Sequence, residues 1–268
     1  MTSKVNLFKR TTLPRGMISI IIASKSESDL ARCTENIKET IGVPYELLIT
    51  KNAEGKIPLT KVYNDGTKKA KHDILCFMHE DIEFKKKEWG KKVLDLLAQK
   101  EIGVVGVAGS NYFPENGNWT APGVPFLKGR IIHPSKHVEM DQIDTFSEEL
   151  GNIEVVTVDG VFMATRKNIV KECPFDEKTF DGFHFYDGDF CIRVAQKYKV
   201  MVTTDILLKH YSHGSFNEVW DAYRKRFVEK YKGILPYTKQ SLKPNWKDIK
   251  RWRMQYLLYK KGNALVQK

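Results

Sequence analysis

Three short stretches hold residues whose types and spacing suit chemistry. The first is His-Glu-Asp at 79–81, directly after the apolar run 74–78. A carboxylate pair beside an imidazole can hold a divalent cation, and hard ions such as Mg²⁺ or Mn²⁺ leave their remaining positions to substrate phosphates. Taken alone, the triplet is equally a solvated turn closing a strand. The second stretch, Phe-Asp-Gly-Phe-His-Phe-Tyr-Asp-Gly-Asp at 180–189, alternates aromatics, acids and glycines. The helix dipole favours acids at a helix start, which can explain Asp187 and more readily Asp189. It does not explain the aromatics, which on a loop suggest a surface that something packs against. The third stretch is His-Tyr-Ser-His at 210–213. A histidine here would be structural on its own, but becomes a ligand candidate beside 79–81.

These residues need a scaffold that brings them together. Residues 17–23 and 45–50 are short apolar runs separated by a stretch in which Leu30, Cys33, Ile37 and Ile41 recur at helical spacing. Ser26 followed by Asp29 marks the helix start, and Gly42 and Pro44 mark its end. That is a βαβ unit, which implies parallel strands and a right-handed crossover. The pattern repeats twice. A helix carrying Leu59, Val62, Tyr63 and Ala70 runs through Asn64-Asp65-Gly66 to the strand 74–78, and one carrying Trp89, Val93, Leu96 and Leu97 leads to a strand at 102–108. Ligands of such open α/β sheets sit beyond the carboxyl ends of the strands, where 79–81 lies.

Further on, 126–132 and 137–143 read as antiparallel strands or loops, and 153–158 as a strand continued by 161–165 past Asp159-Gly160. A short helix at 168–173, a helix through Phe190 and Val194, and a strand pair at 199–208 follow. Ser215 and Glu218 then suggest a capping box for a helix lined by Trp220, Tyr223, Phe227 and Tyr231. The expected fold is α/β, with a mainly parallel central sheet, helices on both faces and a C-terminal helical extension.

The 268 residues are 41% hydrophobic and 29% charged, as in a globular protein with a full core. No apolar run approaches the roughly eighteen residues of a membrane span, and 1–16 lacks a signal-peptide core, so a cytoplasmic location is expected. The four cysteines lack paired spacing and read as small buried hydrophobes. The net charge of +11 is unevenly placed: 238–268 carries nine basic residues against the single acid Asp248. A basic helix bearing Trp246, Trp252, Tyr256 and Tyr259 suits an anionic membrane surface, giving an expected peripheral position at the inner membrane face. Equally, it can pack on the body through its aromatics. Nucleic acid is not an expected partner, since no recognition motif accompanies the charge.

The ordered series Ser-Ile-Ile-Ile-Ala-Ser at 19–24, Tyr-Asn-Asp-Gly-Thr at 63–67, His-Glu-Asp at 79–81, Val-Asp-Gly-Val-Phe-Met-Ala-Thr-Arg at 158–166, Tyr-Asp-Gly-Asp-Phe-Cys-Ile-Arg at 186–193 and the histidine before Gly214 resembles a family 2 glycosyltransferase of the GT-A fold. The likeness covers roughly 17–231. It implies a GT-A-like domain over 1–235, a basic helical tail over 236–268, and a nucleotide-sugar-dependent inverting transferase, hexosyltransferase in type, of the kind used in polysaccharide biosynthesis. The implied partners are a nucleoside-diphosphate sugar, a glycan or lipid-linked hydroxyl acceptor, and Mn²⁺ or Mg²⁺. Asp81 falls on the family's metal-binding acid, with His79 standing where a first Asp is usual. His210 matches a late metal or diphosphate ligand, with His213 the weaker choice. Asp187 matches the general base, preceded by Tyr186 where a Glu is usual. The likeness further implies donor binding by Ala23, Ser24, Lys51, Asn52, Asn64, His79 and Glu80, where Lys51-Asn52 replaces a nucleoside-binding carboxylate. It assigns acceptor binding to Gly160, His184 and Tyr186. The altered positions motivate a rival, a non-catalytic nucleotide- or carbohydrate-binding module on the same fold. A nucleotidyltransferase is disfavoured because Ser24-Lys25-Ser26 replaces a Gly-rich phosphate loop.

Overall fold

Strands with apolar side chains on both faces need cover on both sides, and this chain supplies it with helices placed between them. A computed structural model describes residues 16–122, 126–134, the backbone of 141–145, 149–212, 214 and 216–239. The first half comprises β1 (Ile18–Ser24), α1 (Glu27–Thr40), β2 (Tyr45–Lys51), α2 (Leu59–Lys69), β3 (Ile74–Met78), β4 (Ile82–Phe84), α3 (Trp89–Leu97), β5 (Ile102–Gly106) and β6 (Ala108–Ser110). The second comprises β7 (Leu127–Pro134), β8 (Asp141–Thr145), β9 (Asn152–Val155), β10 (Thr157–Val158), β11 (Phe162–Arg166), α4 (Lys167–Glu172), α5 (Tyr186–Val194), β12 (Lys199–Thr203), β13 (Leu208–His210) and α6 (Glu218–Lys230). Residues 240–268, which carry most of the expected basic helix, lie outside the described residues, as do His213 and Ser215. The α6 cap is Asn217, whose side chain accepts from the Trp220 N–H at 2.9 Å, where Ser215 was expected. Among the described residues no helix is long and apolar enough to cross a membrane.

The central sheet runs β2-β1-β3-β11-β5-β12-β9. β2, β1 and β3 are parallel, as the βαβ pattern requires. β11 then enters antiparallel between β3 and β5, and β9 closes the edge antiparallel to β12. The sheet is therefore mixed. Residues 161–165 do not continue the strand before them: past Asp159-Gly160 the chain leaves β10 in the second sheet and enters the central sheet as β11, between β3 and β5. A second sheet, β10-β6-β7-β13-β4 with β8 against β7, stands beyond the carboxyl ends of β3 and β5 and receives the chain directly from both. At the crossing, Gly109 is required: a Cβ there would lie 2.1 Å from the Thr157 carbonyl oxygen of β10.

Alternation along β1 and β3 divides the core. Ile18, Ile20, Ile22, Cys76 and Met78 pack with Cys33 and Ile37 of α1 and with Trp89 and Val93 of α3. Ile21, Leu75 and Phe77 face Tyr63 of α2, Ile169 of α4 and Phe190 of α5. A third, aromatic cluster joins Phe113, Phe180, Phe185, Phe227 and Tyr231, with Phe113 and Phe227 stacked at 4.8 Å between ring centroids. It clamps α6 over the start of α5.

Asp189 is the polar bolt of that clamp. It is fully buried, its Oδ2 accepts from Arg193 at 2.9 Å and 2.6 Å, and its Oδ1 accepts from Tyr231 Oη at 2.7 Å and from Lys230. Its role thus exceeds a favourable charge at a helix start. Removing one partner of a buried ion cluster strands the others, so Asp189→Ala is expected to lower stability by about 3–5 kcal/mol, read as a fall in denaturation midpoint. A loss below about 1 kcal/mol would mean the cluster is solvated in effect.

Candidate active site

The strand order brings the polar residues together. His79, Glu80 and Asp81 form the short link between β3 in one sheet and β4 in the other. β13 pairs antiparallel with β4, His210 opposite Ile82, so His210 arrives beside Asp81. His210 Nε2 lies 3.4 Å from Asp81 Oδ1 and 2.9 Å from Ser212 Oγ, and His79 Nδ1 is 3.9 Å from the same Asp81 oxygen. One donor atom from each of His79, Asp81 and His210 falls within 4.8 Å of the others.

The protonation states suit a cation. Burial, reinforced by His210, pushes His79 down to about 4, so its ring is neutral at pH 7. Burial opposes ionisation of Asp81, but the hydrogen bond and charge of His210 hold its carboxyl at about 2. A deprotonated carboxylate and a neutral imidazole are the forms that ligate metals, so Asp81 and His79 fit a divalent ion, and His210 supplies the third donor by its position.

β11 carries the next part. His79 N–H donates to the Val161 carbonyl at 3.1 Å, which sets Gly160 opposite the link. α5 begins after Phe185, a non-glycine residue held at φ 65°, a strained conformation that the surrounding aromatic cluster maintains. Its first turn offers Asp187, whose Oδ2 accepts from Gly160 N–H at 3.0 Å and whose Oδ1 accepts from Gly188 N–H at 2.8 Å. Burial, reinforced by the charge of Asp159, pushes the Asp187 carboxyl up to about 7. A carboxylate balanced near neutrality is what a general base needs.

All of this opens on one cleft of about 580 Å³. Ala23, Asn52, His79, Glu80, Asp81, Gly160, His184, Tyr186, Asp187 and His210 line it. Three of the residues expected to bind the donor are placed otherwise. Ser24 turns its carbonyl to Asn52 N–H, and Lys51 is exposed and paired with Glu27 at 2.8 Å. Asn64 bonds Phe175 in both directions and Glu177 at 2.7 Å, so it pins the segment before the aromatic loop and lines a separate surface depression. Asn52 itself holds the ends of its own loop through Ile57. Glu80 Oε1 accepts from the N–H groups of Lys25 and Ser26 at 2.6 Å and 2.9 Å, bracing the loop after β1.

The cleft also holds residues outside the expected set of site residues. Asp159 sets the charge environment of Asp187, and only the Asp-Gly turn hinted at it. His133 lines the wall with its ring 5.7 Å from that of His210. Trp119, Phe183, Phe216 and Trp220 form an aromatic mouth.

A model described as a glycosyltransferase-like family matches residues 19–231. The curated protein "ATP synthase subunits region ORF 6" of Fuscovulum blasticum is 26% identical over 176 residues, and the match spans 63% of each chain. Among solved structures, GalNAc-T7 with UDP, GalNAc and Mn²⁺ superposes with a TM-score of 0.52 at 10% identity, over 75% of this chain and 44% of that one. The mannosyltransferase PcManGT from Pyrobaculum calidifontis, in complex with GDP-Man and Mn²⁺, gives 0.51 at 12% identity over 85% and 66%. At these identities the structures show a shared fold.

Proposed function

The chain belongs to this glycosyltransferase-like family and has the GT-A fold, and from that premise we propose that it moves a sugar from a nucleoside diphosphate to a hydroxyl acceptor with inversion at the anomeric carbon. The observation that carries the proposal is the single cleft shared by a three-donor cation cluster and a buried carboxyl near pH 7.

Each residue then has a task. His79, Asp81 and His210 would hold a divalent cation such as Mn²⁺ or Mg²⁺, which supplies Lewis-acid neutralisation of the diphosphate. Asp187 accepts the proton of the acceptor hydroxyl as that oxygen bonds to the anomeric carbon; the bond to the diphosphate oxygen breaks on the opposite face, and its electrons leave with the diphosphate. Burial raises the proton affinity of Asp187, so it accepts the proton more readily than an exposed carboxylate would. Ala23 and Asn52 bound the nucleoside end, and the aromatic mouth with Gly160 and His184 receives the acceptor, a glycan or a lipid-linked saccharide. Aromatic faces suit the apolar faces of a sugar ring, and the basic 238–268 segment suits a peripheral position on an anionic membrane on the cytoplasmic side.

The test is release of nucleoside diphosphate from a panel of sugar nucleotides, with Mn²⁺ or with chelator. The expected result is metal-dependent release with one donor. A thermal shift by the nucleotides with no release under any condition would instead identify a binding module without turnover.

A further inference from the structure

An imidazole ligates a metal through one nitrogen, and the hydrogen-bond partner of the other decides which. His79 Nδ1 faces Asp81, while His79 Nε2 lies 3.2 Å from Tyr186 Oη. Tyr186 Oη is in turn 3.2 Å from the Gly160 carbonyl oxygen. A carbonyl only accepts, so the phenol hydrogen is directed to Gly160 and the phenol oxygen accepts from His79. That order puts the His79 proton on Nε2 and leaves the Nδ1 lone pair facing Asp81 and His210.

The ring that carries the phenol is tightly held. Tyr186 is 3% exposed, its ring packed edge-on against Tyr63 at 5.5 Å and tilted on Phe175 at 6.3 Å. A Cβ at residue 160 would sit 2.1 Å from Tyr186 Oη, so the hydroxyl occupies space that only glycine leaves. The donor set that results is two imidazoles and one carboxylate, richer in nitrogen than the oxygen shell Mg²⁺ prefers.

We infer that Tyr186 is a positioning residue that locks the His79 ring with Nδ1 turned to Asp81 and His210, and that the centre so formed selects Mn²⁺ or Co²⁺ over Mg²⁺. The inference rests on the reading of the cleft as a cation-dependent transferase site.

The test uses the full chain and metal alone: Mn²⁺ followed by electron paramagnetic resonance, Co²⁺ by its visible absorption, and Mg²⁺ by competition with Mn²⁺. The wild type is expected to bind Mn²⁺ and Co²⁺ at least about 10-fold more tightly than Mg²⁺. Tyr186→Phe is expected to weaken Mn²⁺ and Co²⁺ about 10–100-fold and to alter the Co²⁺ band, leaving Mg²⁺ affinity little changed. In a His79→Asp background, which has no ring to orient, the Tyr186→Phe effect should vanish and Mg²⁺ should approach parity with Mn²⁺. Equal wild-type affinity for Mg²⁺ and Mn²⁺, or a Tyr186→Phe effect that persists unchanged in the His79→Asp protein, overturns the inference while leaving a cation site in place. Absence of binding by all three ions overturns the underlying reading as well.

Discussion

Asp187→Asn is expected to lower kcat by about 10²–10⁴-fold while leaving nucleoside-diphosphate binding within a few-fold of wild type. Asparagine keeps the size of the side chain and can still accept from one of the N–H groups of Gly160 and Gly188, but it cannot take a proton. In the wild type, turnover should rise with pH through an acid limb near 7, because burial and the charge of Asp159 keep Asp187 protonated below that value. The Asn variant should show no such limb in its residual rate. Turnover retained at the wild-type level would reject the assignment.

The same group leaves a mark on stability. Asp187 has its folded pKa raised from 3.8 to about 7, so the native state holds a proton that the unfolded chain releases between those values. Its contribution is full below about pH 3.8 and is lost as pH rises to about 7, at up to ~1.4 kcal/mol per pH unit. His79 acts oppositely: its folded pKa is lowered from 6.5 to about 4, so its contribution is present above about pH 6.5 and is lost as pH falls through about 4. The two slopes offset each other over much of the same window, so the wild-type profile by itself discloses neither. The difference between wild type and Asp187→Asn isolates the Asp187 part, and a flat difference from pH 4 to 7 would show that this carboxyl titrates normally.

Local physics made much of this architecture legible. Ser26 caps α1 by accepting from Asp29 N–H, and Leu59, Val62, Tyr63 and Ala70 carry α2 straight through Asn64-Asp65-Gly66 because Gly66 packs against Ile21 with no room for a Cβ. What the residues could not convey was direction. The run 153–165 is apolar on either side of Asp159-Gly160, and nothing in it says that β9 pairs with β12, β10 with β6, and β11 with both β3 and β5. The break at Val107 between β5 and β6 is equally silent, since only Gly106 and Gly109 record the close approach of β10. At the site, the acids and histidines at strand ends and helix starts came together in one cleft. Asn64 did not, because its partners Phe175 and Glu177 lie more than a hundred residues away. The contact of the Tyr186 hydroxyl with His79 is hidden for a similar reason, since the two lie 107 residues apart.

Asp81→Ala should give the complementary defect: at least about 100-fold weaker metal-dependent binding of a nucleoside diphosphate by calorimetry, some 2.7 kcal/mol, with the fold retained. Asp81 is the one carboxylate among the three donors and the atom toward which both imidazoles turn. Without it the cluster carries no negative charge to draw a dication from water, and His79 and His210 face each other, ring centroids 5.6 Å apart, without their common acceptor. Chelator applied to the wild type should match the variant, and the two losses should not add, because both empty the same site. The pair of substitutions then separates the two halves of the cleft: one abolishes binding of the leaving group, the other abolishes transfer while that binding persists. Nucleoside-diphosphate affinity that survives both Asp81→Ala and chelation would move the diphosphate away from β3, β4 and β13, and the place of Asp187 opposite the anomeric carbon would fall with it.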